Sequence, residues 1–110
     1  LTARVKKFLS VERLRVVTRE LDEFSRIAVA CGSGGSLLAD AQRVGCDCLV
    51  TGETSFHTCL EARASGVALI LTGHYASERF ALETLAAHLQ QHLGVDVWAS
   101  QRESDPLGDI

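Results

Sequence analysis

His74 and Glu78 stand four residues apart in Gly-His-Tyr-Ala-Ser-Glu, directly after an apolar run that stops at Gly73. If a helix begins behind that glycine, both side chains rise from one face of its first turns, the spacing at which a histidine and a carboxylate can share a metal ion. On the same wheel Glu78 falls on the stripe of Leu82, Leu85, Leu89 and Leu93, which is expected to face the core. A carboxylate there needs a partner, because buried charge persists only when paired or coordinated. The alternative is a solvated Glu78 that complements the positive end of the helix dipole.

Two further clusters carry candidate chemistry. Glu53 and His57 follow Thr51-Gly52, and His57, one turn into its helix, is either a surface histidine or a site residue beside Glu53. Gly32, Ser33, Gly34, Gly35 and Ser36 form a turn whose backbone N–H groups, at a helix start, offer a cradle for an anion or phosphate. Against the dinucleotide pattern G-x-G-x-x-G, Gly32 and Gly34 fit, Leu37 replaces the last glycine, and Glu53 stands about 20 residues on, where a ribose-binding acid belongs. Against the nucleophile elbow G-x-S-x-G, Cys31 replaces the first glycine. A tight strand-to-helix turn without a ligand explains the same residues. His88 and His92 also have i, i+4 spacing, but roughly 20 Å along the helix from His74 they are expected to complement its C-terminus. Cys46-x-Cys48 lacks the second knuckle of a zinc site. Tyr75 and Trp98 are expected to pack.

The elements that must position these residues follow from the hydrophobic pattern. Residues 3–9 have the spacing of an amphipathic helix, and 13–19 alternate like a strand with one wet face, near a sheet edge, before a polar turn at 22–25. Residues 27–31, 48–50 and 67–71 are short apolar runs that predict buried strands. Between and after them lie helices predicted at 37–44, 55–64 and 76–93, the last closed by Gly94. Residues 95–99 predict a last strand, and 100–110 a surface tail. Strands alternating with helices imply an α/β fold, a mainly parallel sheet with helices on both faces. Ligands in such sheets bind outside the carboxyl ends of the strands. The exits at 32–36, 52–57 and 73–78 would share one edge, bringing together His57, His74, Glu53, Glu78 and the glycine-rich turn.

At 110 residues, 46% of them hydrophobic, the chain is expected to be one domain with a real core. The start at Leu1 is what a segment of a longer protein would show. A net charge of −3 with scattered basic residues lacks the footprint of a nucleic-acid binder. No apolar run approaches the roughly 20 residues of a membrane span. Four cysteines in an α/β pattern read as free thiols in a reducing compartment, hence an expected cytoplasmic location.

Cys-Gly-Ser-Gly-Gly-Ser (31–36), Thr-Gly-Glu-x-x-x-His (51–57), Gly-His-Tyr-Ala-Ser-Glu (73–78) and Glu-Ser-Asp-Pro-Leu (103–107), in that order and spacing, closely resemble the C-terminal half of the NGG-interacting factor three-like (Nif-three-like) family, the GTP cyclohydrolase I type 2 homologs. The resemblance implies an α/β fold, a centre of two divalent metal ions (zinc, iron or manganese) and a homo-oligomer, a hexameric ring built from dimers. It makes His74 and Glu78 metal ligands and sets His57 beside the metals. The family pattern carries Asp where this chain has Glu53, and its remaining ligands, a His-His pair and an Asp, belong to an N-terminal half that this chain lacks. The expected function is thus part of a metal-dependent hydrolase. His57 and Glu53 would serve catalysis, the 32–36 turn would hold an anionic part of a small substrate, and the segment alone would be inactive. The alternative is a non-catalytic binding or scaffolding module of a ring-shaped oligomer.

Overall fold

The computed structural model describes residues 1–17 and 23–108. Helix α1 spans Thr2–Leu9, strand β1 Arg15–Val17 and strand β2 Ile27–Ala30. A single 3-10 turn, Gly34–Leu37, leads into α2, Leu38–Arg43. Strand β3 (Cys48–Thr51), helix α3 (Phe56–Ser65), strand β4 (Ala68–Leu71) and helix α4 (His74–Leu93) follow. The end of the 13–19 strand and the start of the 22–25 turn lie outside the described residues, as do the last two residues of the tail.

The sheet order is β1-β4-β3-β2. β2, β3 and β4 run parallel, with Val29 opposite Val50 and Val50 opposite Ile70, while β1 pairs antiparallel with β4 at the edge. The fold is therefore α/β with a mainly parallel sheet, and the wet strand at 15–17 is an edge strand as its alternation predicts.

Alternation along β3 and β4 divides the core between the two faces of the sheet. Leu49 and Leu69 point to one face, where Leu38 of α2 and Ala62 of α3 cover them. Cys48, Val50, Ala68 and Ile70 point to the other, beneath Val5 of α1, Leu14 and Phe24. Helices thus lie on both faces. Burial pushes the Cys48 thiol up to about 11, which keeps it out of the thiolate form that binds metal.

Local chemistry fixes the helix ends. Ser55 caps α3 by accepting the Thr58 N–H at 3.1 Å. Gly94 closes α4 in the left-handed conformation (φ 64°), where a side chain would be strained. α4 begins at His74, two residues before the predicted start, because Gly73 is its N-cap.

Four expectations are corrected. β2 is not buried on both faces: it is the open edge of the sheet, and Val29 is 74% exposed. Residues 95–99 form no strand, because the chain turns back along α4, where Arg79 donates to the Ser100 carbonyl at 2.6 Å, and so never reaches a sheet edge. Trp98 is accordingly exposed rather than packed. The leucine stripe of α4 does not face the core of this chain: Leu82 and Leu85 are about half exposed, and the residues α4 buries are Ser77 and Ala86.

Candidate functional site

The exits of β2, β3 and β4 are sewn together by hydrogen bonds. The Gly73 N–H donates to the Gly52 carbonyl at 2.9 Å, and the Glu53 N–H to the Gly32 carbonyl at 3.0 Å. Thr51 Oγ1 donates to the Gly32 carbonyl and accepts from the Gly34 N–H, at 3.1 and 3.0 Å. Ser77 completes the join by accepting from the Gly32 N–H at 2.8 Å and donating to the His74 carbonyl at 2.7 Å. The first turn of α4 is thereby fixed against the glycine-rich turn, and the Gly32–Ser77 bond is buried.

On this frame His74 lies between two carboxylates. Its Nδ1 is 2.8 Å from Glu53 Oε1, and its Nε2 is 3.3 Å from Glu78 Oε2. Ser33 Oγ donates to the same Glu53 oxygen at 3.0 Å. The hydrogen bond from His74, then that from Ser33, holds the Glu53 carboxyl below its ordinary range. The Glu53 hydrogen bond in turn raises the His74 pKa, reinforced by the charge of Glu78. An ionised carboxylate can only accept, so Nδ1 carries a proton toward Glu53, and Nε2, directed at Glu78, carries a second when the ring is charged.

Gly32 keeps space beside this pair. Its φ of 62° suits glycine, and a Cβ there would stand 2.4 Å from Glu78 Oε1 and 3.4 Å from His74 Nε2. His74 and Glu78 are the side chains here that could serve as ligands to a divalent ion. One imidazole nitrogen faces a carboxylate, and the other is oriented by a second carboxylate, as in ligating histidines. Glu78 is half exposed, so burial does not explain its position; its pairing with His74 does.

The family model for Duf34/NIF3 (NGG1p interacting factor 3) matches residues 1–106. The chain belongs to this family. This Duf34/NIF3 chain is 32% identical to the GTP cyclohydrolase 1 type 2 homolog of Lactococcus lactis, over 100% of its own length and 44% of that protein's. It is 36% identical to NIF3-like protein 1 of Rattus norvegicus, covering 94% of this chain and 28% of the relative. Among solved structures it superposes on Staphylococcus aureus protein SA1388 with a TM-score of 0.81 at 32% identity, over 98% of this chain and 32% of the other. A Bacillus cereus protein related to NIF3 gives 0.78 at 28% identity, over 98% and 31%. The Duf34/NIF3 chain thus spans less than half the length of these relatives.

Of the residues singled out by sequence, the structure of the Duf34/NIF3 chain brings together Glu53, His74, Glu78, Gly32 and Ser33. His57 is exposed on the first turn of α3, and among the described residues its side chain makes no hydrogen bond or ion pair. Gly34 and Gly35 have packing reasons to be glycine: a Cβ at Gly34 would meet Thr51 Oγ1 at 2.5 Å, and one at Gly35 would run into Thr54. His88 and His92 stack at 4.1 Å at the far end of α4, with His92 Nδ1 2.8 Å from the His88 carbonyl. Among the described residues no helix is long and apolar enough to cross a membrane.

Sequence reasoning missed Ser77 and Arg79. Ser77 has no motif of its own, and only its place one turn into α4 beside a glycine exit hints at its role. Arg79 ties the tail to α4 through Glu103 at 3.0 Å, while Tyr75 donates to the Glu103 carbonyl at 3.2 Å. Asp105 then turns the chain by accepting the Leu107 N–H at 3.0 Å.

Proposed function

We propose that this chain supplies one part of a dinuclear metal centre in a metal-dependent hydrolase, with the remaining ligands drawn from an N-terminal half of the same protein. The observation that carries the proposal is the His74 ring, held at Nδ1 by Glu53 with Nε2 turned to Glu78 above the gap at Gly32. The donor set suits zinc, iron or manganese. Bound there, a pair of such ions would supply Lewis acidity toward water and a substrate oxygen.

The chain's own residues do the rest. Glu53 fixes the tautomer and aim of His74, Ser77 fixes the helix turn that carries it, and Gly32 leaves the approach open. His57, on the adjacent α3, would exchange a proton with substrate or orient it. The hydrolase assignment follows the relatives' name, GTP cyclohydrolase 1 type 2 homolog. Assembly into a ring-shaped homo-oligomer belongs to the same proposal, and the open leucine stripe of α4 supports it.

The test is metal content by plasma mass spectrometry of the full-length protein, with His74→Ala and Glu78→Ala variants. The proposal expects bound divalent metal in the wild type and its loss in both variants. A full-length protein without metal, or variants that hold as much as wild type, would defeat it.

A second reading, a non-catalytic binding or scaffolding module, is favoured by one observation. Among the described residues no three or more His, Cys, Asp or Glu side chains converge to hold a metal. Metal in the full-length protein without turnover of any phosphoester, nucleotide or peptide would favour this reading.

A further inference from the structure

Beside Glu53 lies an open cavity of about 360 Å³. Ser33, Ser36, Thr54, Ser55, Thr58 and Glu53 line it, over a floor at Gly35. Five of those six side chains are hydroxyls, and none carries positive charge. Some are already committed: Ser33 donates to Glu53, and Ser55 pairs with Thr58 at 3.0 Å while capping α3. Among the described residues the hydroxyls of Ser36 and Thr54 have no hydrogen-bond partner, and Glu53 accepts from Ser33 and His74 through Oε1, leaving Oε2 open.

A phosphate suits this place poorly. Two of the backbone donors of the glycine-rich turn, Gly32 and Gly34, are spent on Ser77 and Thr51. No lysine or arginine lines the cavity, and the Glu53 carboxylate would repel an anion at close range. An uncharged polyol meets every requirement, because each of its hydroxyls donates to a carboxylate oxygen and exchanges donor and acceptor roles with serine and threonine.

We infer that this cavity binds a neutral vicinal diol, the sugar part of a substrate whose reacting group lies at His74 and Glu78, in place of the anionic group suggested by the glycine-rich turn. The inference rests on the proposed metal site only in assigning both to one substrate.

The test is a titration of the ¹⁵N-labelled chain with EDTA present, using methyl β-D-ribofuranoside, its 2-deoxy counterpart and inorganic phosphate as probes. The ribofuranoside is expected to move the amide signals of Ser33, Ser36 and Thr54 saturably, and phosphate at equal concentration to leave them in place. Losing one hydroxyl, in the 2-deoxy sugar or in Ser36→Ala or Thr54→Val, should weaken binding about fivefold, the value of one net hydrogen bond. Ser36 is exposed, so its variant folds as wild type does. Saturable phosphate shifts at these amides, no response to the ribofuranoside, or unchanged affinity in both variants would overturn the inference. Because the titration is metal-free, its failure would leave metal retention by His74 and Glu78 untouched, and loss of the metal reading would leave the sugar titration valid.

Discussion

Ser77→Ala tests the joint between α4 and the glycine-rich turn without touching any proposed ligand. Ser77 is 6% exposed, and its hydroxyl is the acceptor for the buried Gly32 N–H. Alanine removes that acceptor and leaves no room for water to replace it easily, since a Cβ on neighbouring Gly52 would already stand 2.6 Å from Ser77 Oγ. A buried donor left unsatisfied costs about 1–3 kcal/mol, and the lost bond to the His74 carbonyl adds to this, so about 2 kcal/mol is expected. For a chain of this size that corresponds to a Tm lowered by about 10 °C. The assay is thermal and urea unfolding followed by circular dichroism, with exposed Ser36→Ala as the control, expected within about 0.5 kcal/mol of wild type. If Ser77→Ala melts together with that control, the Gly32–Ser77 bond does not hold the site together and the reasoning fails.

Gly34→Ala drives a methyl to 2.5 Å from Thr51 Oγ1 and 2.6 Å from the Ala30 Cβ, so overpacking should cost about 1–3 kcal/mol, read as a lower urea midpoint. The His74–Glu53 pair sets a pH dependence in the metal-free chain. His74 is raised above 6.5, so its contribution is complete below 6.5 and lost as pH rises through the folded value; Glu53 is lowered below 4.5, so its contribution is present above 4.5 and lost as pH falls through the folded value. The stability gap between wild type and Glu53→Gln should therefore be larger at about pH 5.5 than at about pH 8.5, and equal gaps in urea titrations would contradict the pairing. Arg79→Met keeps the apolar stem but releases Ser100 and Glu103, so trypsin should cut after exposed Arg102 faster than in wild type.

Where the chain encodes structure by local pattern, its fold is legible. The apolar runs at β3 and β4 are central parallel strands, and Ser55 and Gly94 bound helices at the expected places. Legibility fails where the answer depends on what lies next in space. Ile27 and Val29 read as buried because they are apolar, yet β2 is an edge with an open face. Val95 to Ala99 alternates like a strand, but alternation cannot supply a pairing partner, and Arg79 holds the following residue against α4 instead.

The candidate site divides in the same way. The i, i+4 spacing of His74 and Glu78 is a property of one helix and could be read directly. The Glu53 contact at Nδ1 and the Ser77 bond to Gly32 join residues 21 and 45 positions apart, and only the register of three strand exits brings them together. Glu78 would be buried only if the leucine stripe packed within this chain, and that face is open.

The most direct test of the metal-site account is anomalous scattering at the edge of the bound metal in a crystal of the full-length protein. The account predicts a peak within about 2.2 Å of both His74 Nε2 and a Glu78 carboxylate oxygen, with Glu53 still on Nδ1. A metal bound elsewhere with both side chains free, or one bound through Nδ1 with Glu53 displaced, would contradict it.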